Sequence, residues 1–101
     1  MATHPFVSAL LVTRNEQAFV ERALLSLVNQ TYPKDSYEII VIDGESTDKT
    51  LDIIQKIIHQ YQTDCFNIRL INNPKHILSS GWNLGIQNAK GEYVVRIDAH
   101  G

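Results

Sequence analysis

The sequence predicts an open, three-layer α/β fold: four parallel strands in a β-α-β-α-β-α-β chain order, with spatial order 3-2-1-4. Two observations carry this expectation. Four short apolar, β-branched runs are present, and three longer segments of helical period alternate with them. A third consideration narrows the winding, because crossovers between parallel strands are right-handed. In the expected order strands one and four are neighbours where the winding reverses, and the crevice outside their carboxyl ends is the favoured ligand site.

The first run, Phe6 to Val12, is almost continuously apolar, as strands covered on both faces are. Val20, Ala23, Leu24, Leu27 and Val28 then fall at helical spacing, with Asn15 as the expected N-cap and Pro33 stopping continuation. Glu38 to Ile42 is the second run. After it, Ser46-Thr47-Asp48 offers side-chain oxygens to cap a helix carrying Leu51, Ile54, Ile57, Ile58 and Tyr61 at the same spacing. Ile68 to Ile71 is the third run. The third helix is predicted from about Ile77 to Ala89, with Leu78, Trp82, Ile86 and Ala89 on one stripe and Gly91 as a left-handed stop. Gly81 and Gly85 inside it cost about 1 kcal/mol each against Ala, which close approach to the sheet or to a ligand explains. Tyr93 to Ile97 closes the series as the fourth strand.

Composition bounds the function classes. The 101 residues, 44% of them hydrophobic, suffice for one domain with a modest core. Nine Lys plus Arg against eleven Asp plus Glu give a net charge of -2 without blocks of either sign, so no nucleic acid partner is expected. Met1 to Pro5 lack the features of a signal peptide, and no apolar run approaches ~20 residues; a cytoplasmic location is the expectation. The single cysteine, Cys65, excludes an internal disulfide or a multi-cysteine metal site and is expected to be a semi-buried thiol. There is no Gly-x-Gly-x-x-Gly after the first strand and no Gly-Lys-Ser/Thr loop, which excludes the usual dinucleotide and P-loop cradles. Ser8, Ser79 and Ser80 lie in no nucleophile elbow.

Two carboxylates stand at predicted strand exits. Asp43 ends the second strand in Val41-Ile42-Asp43-Gly44-Glu45-Ser46-Thr47-Asp48, where it can accept hydrogen bonds from a nucleoside's ring N–H or ribose hydroxyl. The alternative is that Asp43 and Ser46 shape a turn and cap the second helix. Asp98 and His100 follow the fourth strand one residue apart, and can share a divalent ion if the backbone turns there; otherwise they form a surface turn. Mg²⁺ prefers oxygen ligands, so a histidine shifts the expectation toward Mn²⁺. His76, beside Lys75 at the start of the third helix, either meets a phosphate or is solvated. Arg96 within the fourth strand is either a charge for a diphosphate or an ion-pair partner within the fold.

In combination the motifs resemble the N-terminal half of a family 2 glycosyltransferase with the GT-A, Rossmann-like fold. Val7-Ser8-Ala9-Leu10-Leu11-Val12-Thr13-Arg14-Asn15-Glu16 is similar to that family's opening strand and Asn-Glu turn. Ser26-Leu27-Val28-Asn29-Gln30-Thr31-Tyr32-Pro33 resembles its first helix exit, and Asp43-Gly44-Glu45-Ser46-Thr47-Asp48 its nucleoside-holding segment. Asn83-Leu84-Gly85 and Ala89-Lys90-Gly91-Glu92-Tyr93 resemble the lead into its metal motif, and the ending Arg96-Ile97-Asp98-Ala99-His100 resembles bacterial exopolysaccharide enzymes of the succinoglycan type.

The resemblance implies roles by position. Thr13, Arg14 and Asn15 would border the base, Asp43 would bind the nucleoside, and Asp98 with His100 would hold the divalent metal, Mg or Mn, on the diphosphate of a nucleotide-diphosphate sugar. Gly44 stands where many relatives carry a second acid, so a base contact would shift to Glu45. Trp82 stands where many carry a basic residue. The parent enzyme is expected to transfer a sugar to a polysaccharide, saccharide or lipid-linked acceptor with inversion, at the cytoplasmic face of a membrane where relatives have membrane segments. Its general base is expected downstream of Gly101, so residues 1–101 are read as a partial domain, truncated after the metal motif and without turnover. The open edge of strand four is expected to favour self-association. Two other classes are a noncatalytic α/β interaction module and a nucleotidyltransferase of similar fold; the latter usually opens with a Gly-rich basic loop, which Thr13-Arg14-Asn15-Glu16 lacks.

Overall fold

A computed structural model describes residues 4–98, Asp98 as strand backbone only; residues 99–101, and with them His100, lie outside the described residues. The four runs form β1 (Val7–Thr13), β2 (Tyr37–Asp43), β3 (Ile68–Asn72) and β4 (Tyr93–Asp98), each within one residue of its predicted bounds. They alternate with α1 (Val20–Val28), α2 (Thr50–Tyr61) and α3 (Leu78–Asn88). All pairings are parallel and the sheet order is β3-β2-β1-β4, as expected.

Parallel strands with helices on both faces need apolar side chains at successive positions. Ala9, Leu11, Ile39, Val41 and Ile68 face Val20, Leu24 and Leu27 of α1 and Ile54 and Ile57 of α2. Leu10, Ile40 and Ile42 face the other way, toward Trp82, Leu84 and Ala89 around α3. Among the described residues β4 has a sheet neighbour on one side only, and Val94 and Val95 are both substantially exposed. Among the described residues no helix is long and apolar enough to cross a membrane.

The structure corrects α3. Leu78 and Ile86, expected on its inner stripe, are 55% and 51% exposed, and the buried positions are Gly81 and Gly85. A Cβ on Gly85 would lie 2.8 Å from Leu10 Cδ1, and one on Gly81 2.9 Å from Val12 Cγ1. The glycines therefore let the helix lie directly on the sheet. Gly91 is no left-handed stop either, since no described glycine has positive φ. It is required because a Cβ there would lie 2.6 Å from the Ser8 backbone nitrogen and 2.8 Å from the Phe6 carbonyl oxygen. Cys65, expected to be semi-buried, is exposed in the loop after α2.

A buried polar network closes the amino end of the sheet. Glu38, 1% exposed, accepts hydrogen bonds from Ser8 Oγ at 2.7 Å, the Lys90 backbone N–H at 2.9 Å and Arg69 Nη2 at 3.0 Å. Ser8 Oγ in turn accepts from the Gly91 N–H at 2.9 Å, and Arg69 also donates to the Asn88 carbonyl. Burial pushes the Glu38 carboxyl up, but the Lys90 N–H, the Ser8 hydroxyl and the Arg69 guanidinium outweigh it and hold the group below its ordinary range.

Candidate functional site

The exits of β1, β2 and β3 lie side by side because the strands are parallel and in register, pairing Thr13 with Asp43 and Asp43 with Asn72. β4 adds Asp98 opposite Val12, which brings its backbone to the same edge. Of the predicted site residues, the described topology therefore gathers Thr13, Arg14, Asn15, Asp43, Glu45 and the backbone of Asp98.

Asp43 is 1% exposed and its carboxylate organises the edge. Oδ1 accepts from Thr13 Oγ1 and Ser46 Oγ, both at 2.7 Å, and Oδ2 accepts from the Ser46 N–H at 2.8 Å. This is the turn-shaping geometry of the alternative reading. Ser46 does not cap α2, however: its Oγ accepts the Asn15 N–H at 2.8 Å, while Asp48 Oδ1 accepts the Thr50 N–H at 2.9 Å in the first turn.

Asn15 departs from its expected role as N-cap of α1, whose cap position is Phe19. It sits at φ 52° and directs Oδ1 to the Thr47 N–H at 2.7 Å and the Asp48 N–H at 3.3 Å. The physical reason is proximity: the loop after β1 lies against the loop after β2, whose free N–H groups are nearer than those of α1. Gln17 accepts the Lys49 N–H, the Glu16 N–H donates to Thr50 Oγ1, and Arg14 Nη1 donates to the Gly44 carbonyl at 2.5 Å. Two loops thereby become one wall.

Glu45 and His76 form the outer rim. His76 Nε2 lies 2.5 Å from Glu45 Oε1, and Asn72 Nδ2 donates to Oε2 at 3.1 Å. The hydrogen bonds from His76 and Asn72 hold the Glu45 carboxyl below its ordinary range, and the Thr50 hydroxyl does the same for Asp48. Asn15, Glu45 and His76 have φ of 52°, 58° and 63°, so every described non-glycine residue with positive φ stands at a strand exit of this edge. Such backbone costs roughly 1–3 kcal/mol per residue and concentrates at ligand clamps and active sites.

His76 is thus neither simply solvated nor unpaired, and its partnership with Glu45 and Asn72 escaped the sequence reading. Arg96 makes no described ion pair; its guanidinium lies 5.4 Å from the centre of the Trp82 ring. Among the described residues no group of three or more His, Cys, Asp or Glu side chains can hold a metal ion.

The model of Glycosyl transferase family 2 matches residues 8–101. A dolichyl N-acetyl-alpha-D-glucosaminyl phosphate 3-beta-D-2,3-diacetamido-2,3-dideoxy-beta-D-glucuronosyltransferase from Methanococcus voltae is 38% identical over 95 residues, 94% of this chain and 29% of that protein. A poly(ribitol-phosphate) beta-glucosyltransferase from Bacillus spizizenii is 36% identical over 93 residues, 92% of this chain and 14% of that protein. Among solved structures, the mannosyltransferase PcManGT from Pyrobaculum calidifontis, in complex with GDP-Man and Mn²⁺, superposes with a TM-score of 0.87 at 28% identity, covering 96% of this chain and 28% of that one. TarS 1-349 of S. aureus, in complex with UDP-GlcNAc, gives 0.77 at 27% identity, covering 93% and 26%. The chain spans less than a third of the length of each of these proteins.

Proposed function

The chain belongs to glycosyl transferase family 2, and from that membership we propose that it forms the donor-binding part of an enzyme that transfers a sugar from a nucleotide-diphosphate sugar. One observation of the structure carries the reading. The loops after β1 and β2 are tied into a single wall, and β4, on the other side of β1 where the winding reverses, brings the Asp98 backbone to the same edge. Neighbours of the same fold solved with GDP-Man and Mn²⁺ and with UDP-GlcNAc support a nucleotide-sugar ligand.

Thr13, Arg14 and Asn15 border the base, Asp43 holds their loop to the β2 exit, and Glu45 presents an exposed carboxylate to the donor. Asp98 and His100 hold a divalent ion, Mg or Mn, against the diphosphate; when bound, the ion neutralises charge on the departing nucleoside diphosphate. The acceptor is a saccharide or lipid-linked hydroxyl that displaces the diphosphate with inversion at the anomeric carbon. The general base for that hydroxyl is assigned to the part of such enzymes that this chain, which spans less than a third of the length of its relatives, does not cover. The purified chain is therefore expected to bind donor without turning it over, and sugar transfer by it would refute that part.

The deciding experiment is calorimetric titration of UDP and GDP, with and without MnCl₂. Metal-dependent binding of at least one, with the metal dependence removed by Asp98→Ala, is the expected outcome. Absence of binding by both under either condition would overturn the proposal.

A further inference from the structure

We propose that Glu45 reads the ribose diol of the bound nucleoside diphosphate, and that His76 is the positioning residue that sets its carboxylate. The inference rests on the donor-binding reading above and adds to it the moiety read and the residue that holds the reader in place.

Of the two carboxylates at the exit of β2, Asp43 is buried and engaged by Thr13 and Ser46. The Glu45 side chain is 45% exposed and directly accessible to a ligand. Its oxygens are held one each, Oε1 by His76 and Oε2 by Asn72, so each keeps acceptor capacity. Two acceptors side by side on one carboxylate match two hydroxyl donors on adjacent carbons, as a ribose 2′,3′-diol presents them. These hydrogen bonds also favour the ionised form, which is acceptor-only.

The His76 N–H closes a turn onto the carbonyl of the buried Asn73 at 3.2 Å, which aims the imidazole at Glu45. Both residues adopt left-handed φ, 58° and 63°, yet both side chains are on the surface, with His76 40% exposed. The two loops meet closely behind them: a Cβ on Gly44 would lie 3.3 Å from His76 Cα. Left-handed backbone at two residues whose exposed side chains bond each other across loops is the kind of strain that concentrates at ligand clamps. The imidazole fixes the carboxylate from the far loop, so that a flexible glutamate is preset rather than ordered at the moment of binding.

The test titrates UDP, GDP and their 2′-deoxy analogues into the full chain with MnCl₂, following binding by NMR and folding by thermal melting. Wild type should prefer the ribonucleotide. Glu45→Ala should weaken it about tenfold, the scale of a hydrogen bond to a charged group, and erase the preference over the deoxy form. His76→Gly relieves the left-handed backbone, so its melting temperature should hold or rise while affinity falls as for Glu45→Ala. His76→Gln, which keeps an N–H donor, should recover most of the loss, and Glu45→Ala with His76→Gly should lose no more than Glu45→Ala alone. Undiminished ribonucleotide binding by His76→Gly, or equal binding of ribo and deoxy forms by wild type, overturns the inference while leaving donor binding intact. Failure of wild type to bind UDP or GDP overturns both.

Discussion

The two ends of the sheet handle charge in opposite ways. At the amino end, Glu38 is enclosed by Ser8, Arg69 and the Lys90 N–H, so groups from β1, β2, β3 and the approach to β4 converge on one carboxylate. No described residue there has positive φ. At the carboxyl end the carboxylates of Asp43, Glu45 and Asp48 follow one another along the end of β2 and the loop after it, each with its own partners, and Asn15, Glu45 and His76 all sit in the left-handed region. One end resembles a core with a salt bridge in it; the other holds its loops in conformations that the chain alone disfavours. Stability and binding should therefore separate between the two ends. Substitutions at the amino end should unfold the protein, and those at the carboxyl end should alter ligand affinity at nearly constant stability.

The largest expected effect is at Glu38. Glu38→Ala leaves the Arg69 guanidinium and the Lys90 N–H without their acceptor and should destabilise by about 3 kcal/mol, the low end for breaking a buried pair because Arg69 is partly exposed. Urea denaturation measures it, and a loss below about 1 kcal/mol would remove the amino end's claim to be the structural one. The same group predicts a pH dependence. Unfolded, Glu38 titrates near its ordinary 4.5; folded, it titrates lower. Its ionised form therefore stabilises the fold above the unfolded value, and that contribution is lost as pH falls through the folded one. Glu38→Gln should flatten the acid limb of a urea-midpoint profile, and an unchanged slope would show that other carboxylates dominate it.

Next in size is Gly91→Ala. The added Cβ meets the backbone of Phe6 and Ser8 rather than a movable side-chain tip, so β4 must shift from β1 at a cost of about 2–3 kcal/mol. Gly85→Ala should cost less, about 1–2 kcal/mol, because the atoms it meets are the ends of Leu10 and Ile42. Equal losses in denaturation midpoints would show that the α3 contact is as rigid as the backbone contact.

The sequence made the strands and their order legible, because apolar runs record burial on both faces and right-handed crossovers leave few windings. Local pattern was less informative wherever a partner lay far along the chain. Glu38 reads as one polar residue at the start of an apolar run, and its partners Ser8 and Arg69 are 30 and 31 residues away. Asn15 has the side chain of an N-cap, and only the adjacency of two loops shows that it ties down the loop after β2 instead of capping α1. The stripe on α3 was half right: Trp82 and Ala89 pack on the sheet, but the closest approach is made by Gly81 and Gly85, which leaves Leu78 and Ile86 outside, because hydrophobicity was weighed without size. In the site, the sequence left Asp43 open between ligand and turn residue and the structure shows the turn, whereas the Glu45–His76 pair joins residues 31 apart and needed the parallel register of β2 and β3 to become visible.

The carboxyl end should yield the smallest changes in stability. Thr13→Val removes one of the hydroxyls donated to Asp43 and should cost about 1 kcal/mol, a single hydrogen bond to a charged group with two other donors remaining. Asn15→Gly sets two effects against each other. The substitution deletes the acceptor of the Thr47 and Asp48 N–H groups, which costs about 0.5–1.5 kcal/mol. It also releases a side chain from φ 52°, which offsets much of that loss. The net change should stay within about 0.5 kcal/mol, while amide exchange at Thr47 and Asp48 accelerates, because the loops lose their tie without the sheet losing any core contact. A drop approaching that of Glu38→Ala would mean that the wall between β1 and β2 is part of the folding core, and that the two ends differ in exposure but not in purpose.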